Sequence, residues 1–318
     1  MLAPGEIAAD FVATLHANSD QRVVAVGSRS LDRATAFADR FDVPAAYGSY
    51  EEAVSDPRVD VFYIASVNSE HLALALLAIE AGKHVLIEKP LALTEREARR
   101  IADAAGSAGV FAGEAMWSRY LPHIQRAAEI MESGALGDIR LAAAHVGWRI
   151  GPADSAHRLL VPELGGGTIL DTSVYGFWLV QFALGHAQEV RAFGTFTSTG
   201  VDEQVTAALR MGHGVHGSVT STMAVDSSGF ASIEGTAGSI RFGSTFLFPS
   251  DLHVLIGDQA GVWTDPSGLV GRDGLVWQAV AVAKYIAEGR LESPLHSLAD
   301  SIALARTMDA VRAQVATV

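Results

Sequence analysis

The sequence contains no cysteine. That excludes a disulfide, a thiol nucleophile and a thiolate-bound metal within the chain. It has no uncharged apolar run near the ~18 residues that a membrane-spanning helix needs. No basic stretch precedes an apolar one at the start, so no secretory signal is read there, and the cytoplasm is the expected location. Cations are sparse: 23 Lys and Arg stand against 36 Asp and Glu, for a net charge of −13. Phosphate backbones need clustered Lys and Arg, so nucleic acid is excluded as a partner. Gly-x-Ser-x-Gly is missing, which removes a hydrolase nucleophile elbow. His213 and His216 lie three apart with no acidic residue beside them, so no metal site is read. No repeat and no low-complexity tract is found.

What remains is ample material for a core. The chain has 318 residues, 49% of them hydrophobic, enough for one large or two ordinary domains. Ile7, Phe11, Val12 and Leu15 recur at helical spacing. Val23–Ser28 and Val61–Ala65 are continuous runs suited to buried parallel strands. Helical patterns follow them at Leu31–Arg40 and Ser69–Ala81. Val85-Leu86-Ile87 is a third buried run, bounded by Gly82 and Pro90. Thr94, followed by Glu95 and Glu97, reads as the N-cap of a helix to Ala108, and Val110–Ala112 as a short strand. Strands alternating with helices of this length make a doubly wound parallel sheet of Rossmann type.

After about Gly113 the pattern changes. Helices are expected at Leu121–Met131 and Gly166–Leu184, with a long strand at Ile139–Trp148. From Val190 to Thr264 strand-like runs follow one another without helices, which predicts a large, mostly antiparallel open sheet. Helices at Gly274–Glu288 and Ser297–Gln314 close the chain. The expectation is a dinucleotide-binding domain over 1–114 and an α+β substrate domain over 115–318. The C-terminal helix could pack back on the first.

Several constellations carry chemistry. Glu88 and Lys89 stand at the carboxyl end of a strand, the edge where open α/β sheets bind ligands; a surface ion pair is the plainer reading. Ala3, Gly5 and Ala8 stand where Gly-x-Gly-x-x-Gly would cradle a pyrophosphate. Only the middle glycine is present, and a chance Pro-Gly turn gives the same letters. Met1 and Leu2 are too few for a strand of about five residues ahead of this loop. The expectation is that the start lies upstream, or that a strand is lost and cofactor binds poorly. Ser28, Arg29 and Ser30 follow the next strand, with Arg33 beyond. An acidic residue there would hold the ribose hydroxyl of NAD; an arginine suits the 2′-phosphate of NADP, so NADP is expected over NAD. Asp171 and Tyr175 are four apart, on one face of the expected helix behind Gly165-Gly166-Gly167.

The stretch Ala81–Ala92, with Glu88-Lys89-Pro90, resembles the Glu-Lys-Pro signature of the glucose–fructose oxidoreductase/inositol dehydrogenase/rhizopine-catabolism family. Glu114-Ala115-Met116-Trp117-Ser118-Arg119-Tyr120-Leu121-Pro122 is similar to its dihydrodiol dehydrogenase and NADP-dependent D-xylose dehydrogenase subgroup. The resemblance runs from about Leu2 to Gln314. It implies an NAD(P)-dependent oxidoreductase acting on a secondary alcohol of a sugar, polyol or cyclic diol, assembled as a homo-oligomer through the open sheet. Residue by residue it implies Lys89 and Tyr175 as the groups that share the substrate hydroxyl, with Asp171 orienting substrate. A lysine ammonium near a tyrosine favours its anion and lowers its pKa. The cofactor would meet Gly5, Glu6, Ile7, Ser28, Arg29, Arg33, Ser66, Asn68, His71, Glu88, Lys89, Trp117 and Arg119. The sequence departs from the family at the proline usual near Asn68. It carries Tyr175 where much of the family has histidine. A protein of the same fold that binds cofactor or sugar without turnover is the competing reading, because the phosphate loop is altered.

Overall fold

The Val85–Ile87 run is deeply buried, none of its residues more than 3% exposed. Around it the computed structural model builds a parallel sheet; residues 1–150, 157–243 and 246–316 are described. In chain order the elements are α1 (Glu6–Asn18), β1 (Val26–Gly27), α2 (Leu31–Phe41), β2 (Ala46–Tyr47), α3 (Tyr50–Val54), β3 (Val61–Ile64), α4 (His71–Glu80), β4 (His84–Glu88), α5 (Glu95–Ala108) and β5 (Ala112–Ala115). There follow α6 (Pro122–Glu132), β6 (Ile139–Gly147), α7 (Thr168–Asp171), α8 (Ser173–Leu184), β7 (Ala187–Phe196), β8 (Asp202–Met211) and β9 (His216–Thr222). The chain ends with β10 (Phe230–Gly235), β11 (Gly238–Phe242), β12 (Leu252–Ile256), β13 (Gln259–Trp263), α9 (Leu275–Ala287) and α10 (Leu298–Val315).

The chain divides into two units. The first comprises Met1–Trp117 with Gly271–Ile302, and the second Ser118–Val270 with Ala303–Val318. In the first, β3, β4 and β5 pair in parallel, as do β1 and β2. Leu2 joins the two groups by parallel bridges to Gly27 and Ile64. Met1–Ala3 therefore takes the middle of the sheet, although it is shorter than any ordinary strand. Local chemistry sets the crossovers. Thr94 caps α5 by accepting the Glu97 N–H at 3.2 Å, and Glu97 accepts the Leu93 N–H at 3.1 Å, so two orphan amides are satisfied. Gly109, at φ 66°, ends the helix in the left-handed region. The strand expected at Val110–Ala112 runs instead over Ala112–Ala115, which carries pairing with β4 through Glu114 to Ala115.

In the second unit, eight strands pair in the order β13-β12-β11-β10-β6-β9-β8-β7. All contacts are antiparallel except β6 with β9. α8 covers one face of this sheet. Its Gly176 lies so close that an added Cβ would meet Val219 at 2.7 Å. The other face carries a row of cross-strand neighbours, Phe193, Thr206, Thr220, His145 and Phe230. Phe193 is 74% exposed and Phe230 49%. Among the described residues no helix is long and apolar enough to cross a membrane.

Candidate functional site

Lys89 sits half-buried just beyond the carboxyl end of β4, where its loop is bonded on several sides. The buried Glu88 carboxylate accepts the Tyr63 hydroxyl, and accepts the Lys89 N–H at 3.2 Å. The Lys89–Pro90 peptide is cis. His71 Nδ1 lies 2.8 Å from the Pro90 carbonyl, and its Nε2 lies 3.3 Å from that of Ser66. Burial lowers the pKa of His71 to about 4, with the Lys89 charge acting in the same sense, while the two carbonyls act against it. Burial wins, so the ring is neutral and the shorter contact is the N–H donor. The Leu91 N–H donates to Glu114 at 3.0 Å, and His296 contacts the other Glu114 oxygen at 2.9 Å. Ser301 lies 3.1 Å from His296 in turn. The lysine therefore projects from a backbone fixed from below by buried polar groups.

The nucleotide end of the same unit has its own features. Ala3 has φ 61°, a left-handed conformation that suits glycine. It stands where the first glycine of the phosphate motif is expected. Gly5 precedes α1, whose start has no side-chain cap, and a Cβ on Gly5 would meet nothing within 4 Å. Open space over uncapped amides fits a pyrophosphate. Exposed Glu6 is paired with Arg272 at 3.1 Å, which offsets its charge; Ile7 is partly buried behind it. Ser28 is buried and accepts the Ser30 N–H at 3.3 Å. Arg29 and Arg33 are exposed. Arg33 reaches the Pro4 carbonyl at 3.5 Å, beside the loop. Burial raises the pKa of Tyr50, and the charges of Arg29 and Arg33 act to lower it. Two guanidinium groups near one loop, with no carboxylate at 28–30, fit a phosphorylated ribose. Ser66 and Asn68 follow β3, Asn68 buried and Ser66 donating to the Val67 carbonyl at 3.2 Å. Trp117 is 3% exposed, at the end of this unit.

The second unit holds the other expected residues. Arg119 lays its guanidinium over the Phe182 ring, 4.8 Å from its centre. The glycine run is explained by space and backbone angle. Gly165 and Gly167 have φ 75° and 102°, and a Cβ on Gly166 would meet the Leu159 carbonyl at 2.5 Å. A Cβ on Gly167 would meet the Asp202 carboxylate at 2.3 Å. Asp202 accepts the Ile169 N–H at 2.6 Å and so caps α7; burial raises its pKa.

The single helix expected over Gly166–Leu184 is two. Thr172, at φ −101° and ψ −48°, separates α7 from α8. The first piece is fastened to strands through Asp202 and a 3.2 Å bond from Thr168 to Ser221. The second is pressed onto β9 at Gly176. Asp171 and Tyr175 fall on either side of the break, 3% and 5% exposed. Arg158, which no sequence pattern marked, places a guanidinium nitrogen 2.9 Å from Asp171. Asp202, Glu114 and His296 were equally unmarked as positioning groups. Their partners lie 33 residues away for Asp202 and 182 for Glu114 and His296, beyond any local periodicity.

Comparison with known proteins gives two family matches. Residues 3–115 match the oxidoreductase family with an NAD-binding Rossmann fold, and residues 124–241 match the GFO/IDH/MocA C-terminal domain. Trans-1,2-dihydrobenzene-1,2-diol dehydrogenase of Mus musculus is 34% identical, over 98% of this chain and 95% of its own. The Homo sapiens protein of that name is 33% identical over the same shares. Among solved structures, levoglucosan dehydrogenase with NADH and levoglucosan superposes with a TM-score of 0.88 at 23% identity, covering 99% of this chain and 96% of that one. A 3-ketoreductase from Actinomadura kijaniata, with TDP-benzene and NADP, gives 0.84 at 26% identity and the same coverage.

Proposed function

The chain belongs to the GFO/IDH/MocA oxidoreductases, and from that premise we propose that it is an NADP-dependent dehydrogenase or reductase of a sugar, polyol or cyclic diol. The observation that carries this reading is Lys89, held at the carboxyl end of β4 by the bond its N–H donates to Glu88, and followed by a turn that His71 and Glu114 hold.

Gly5, Glu6 and Ile7 would hold the pyrophosphate, and Arg29 and Arg33 the 2′-phosphate. Ser28, Ser66, Asn68, His71, Glu88, Lys89, Trp117 and Arg119 are the further cofactor residues of the proposal. His71 and Glu88 serve by fixing backbone, since their polar atoms engage the loop. The nicotinamide, when bound, supplies the hydride chemistry. Tyr175 takes the proton from the substrate hydroxyl in oxidation and returns it in reduction. Lys89 stabilises the negative charge that builds on that oxygen. Asp171, kept in place by Arg158, accepts a hydrogen bond from a neighbouring hydroxyl and orients the reacting carbon.

The trans-dihydrodiol dehydrogenases support a vicinal diol as substrate, and the arginines support NADP. The outward row Phe193–Phe230 supports a homo-oligomer, because apolar groups this exposed on a sheet face gain by being covered. The cytoplasm is the proposed location. The test is an absorbance assay of the purified protein on a panel of sugars and diols with each cofactor. Turnover of at least one diol with NADP favoured supports the reading; no turnover on any member contradicts it.

A further inference from the structure

The turn that carries Arg158 is tied to the helix that carries Asp171. Arg158–Leu160 is a single helical turn, closed by a 2.8 Å bond from the Leu160 N–H to the His157 carbonyl. The Leu159 carbonyl accepts the N–H of Gly167, the residue before α7, at 2.9 Å. The Leu159 side chain, 2% exposed, packs with Val201 and Met223. Asp202 holds the start of α7 through the Ile169 N–H. Arg158 and Asp171 are therefore kept together by backbone as well as by their 2.9 Å contact.

The two side chains differ in what they have left to offer. Arg158 uses Nη2 to donate to Asp171. Among the described residues its Nε and Nη1 have no partner, and its side chain is 46% exposed. A guanidinium holds its N–H donors in a flat fork and has no acceptor. The Asp171 carboxylate beside it accepts and does not donate. Tyr175, the proton carrier of the proposed reaction, follows four residues later.

An acceptor and a donor fork of opposite charge, side by side, recognise a hydroxyl. A hydroxyl donates to the carboxylate and accepts from the guanidinium at once. Charged groups fail there. An ammonium suits Asp171 and is repelled by Arg158; a carboxylate or phosphate suits Arg158 and is repelled by Asp171. An ether accepts from Arg158 and gives Asp171 no proton.

We propose that Arg158 is a specificity-determining residue that binds substrate directly. Its open N–H donors and the Asp171 carboxylate clamp a free, uncharged hydroxyl next to the reacting carbon. The inference rests on the reading of Asp171 as the acid that orients substrate. It narrows the substrate to a neutral vicinal diol and sets aside sugars with an amino or acidic group at that carbon.

The test measures Kd by calorimetry at neutral pH on the NADPH-loaded protein, where a bound diol has no oxidant. The probes are trans-cyclohexane-1,2-diol, trans-2-aminocyclohexanol in its ammonium form, and trans-2-hydroxycyclohexanecarboxylate. The parent chain should bind the diol about tenfold or more tightly than either charged probe. In Arg158→Met and in Arg158→Gln the amine should gain about tenfold or more relative to the diol, and the carboxylate should gain nothing. A residue that only anchors Asp171 would move all three probes in parallel. An unchanged amine-to-diol ratio in both variants therefore overturns the proposal. So does a parent chain that binds either charged probe as well as the diol, or that does not bind the diol. Turnover is a separate readout. The expected binding pattern without oxidation of the diol by NADP would sink the dehydrogenase reading and leave the clamp standing.

Discussion

Arg158 places a guanidinium nitrogen 2.9 Å from the Asp171 carboxylate, and the acid is nearly buried while the base is half exposed. A buried carboxylate deprived of its cation is costly and changes position or protonation. Arg158→Met should therefore lower kcat about tenfold or more on the best diol, since small misplacements of orienting groups have effects of that order. Arg158→Lys should recover part of it, and the acidic limb of the kcat/KM profile should move upward in the Met variant. A merely structural residue would change the melting midpoint and leave that limb in place. Unchanged kcat and an unchanged limb would refute the role.

Ala3 holds a left-handed backbone at φ 61°. The Cβ penalty there is about 1 kcal/mol, set against the extra entropy of an unfolded glycine. Ala3→Gly should stabilise the chain by about 0.5 kcal/mol and raise the thermal midpoint by about 1–2 °C. A lower midpoint by calorimetry would show that Ala3 is not strained.

Two buried bases set a pH dependence. Burial lowers the Met1 amine from 8.0 to about 5 and His71 from 6.5 to about 4. In each window the unfolded chain binds a proton that the folded chain does not, so stability falls as pH falls. The amine acts between about 8 and 5, and His71 between about 6.5 and 4. Asp202, raised by burial, acts in the opposite sense. The thermal midpoint should decline from pH 8 downward, and acetylating the Met1 amine should flatten the part above 6.5. A midpoint that is flat from pH 8 to 6.5 in the unextended chain would contradict the buried amine.

The sheet face of the second unit carries Phe193, 74% exposed, in register with Thr206 on the adjacent strand and with Phe230 four strands away. If this face joins two copies, Phe193→Asp combined with Phe230→Asp should convert dimers to monomers in sedimentation velocity at micromolar concentration. Desolvating two carboxylates against a twofold-related pair is unfavourable. A wild-type chain that sediments as a monomer, or a double variant that still dimerises, would reject the interface.

How much of this was readable depends on whether the cause is local. Val85–Ile87 and the Thr94 cap are written in consecutive residues, and the structure has both. The alternation of strands and helices gave the parallel sheet, and the run of helix-free strands gave the open one. The glycine run marks where a helix is expected to begin. Its cause, the Asp202 carboxylate and the Leu159 carbonyl pressing on Gly167 and Gly166, lies elsewhere in the chain. The break at Thr172 has the same origin. His71 is expected at the cofactor by resemblance alone; its bonds to Pro90 and Ser66 come from folding α4 beside the β4 loop. Met1 and Leu2 looked too short to be a strand. They still hold the central place, because Gly27, Tyr63 and Ala65 bond to them.

The most direct test of the central claim is the turnover of Lys89→Met and Tyr175→Phe on the best substrate, with cofactor binding measured alongside. Each variant should lose about a hundredfold or more in kcat, the usual scale for a positioned acid–base group. Tyr175→Phe should still bind NADPH, with a Kd within about threefold of the parent. Near-normal turnover in both would contradict the account.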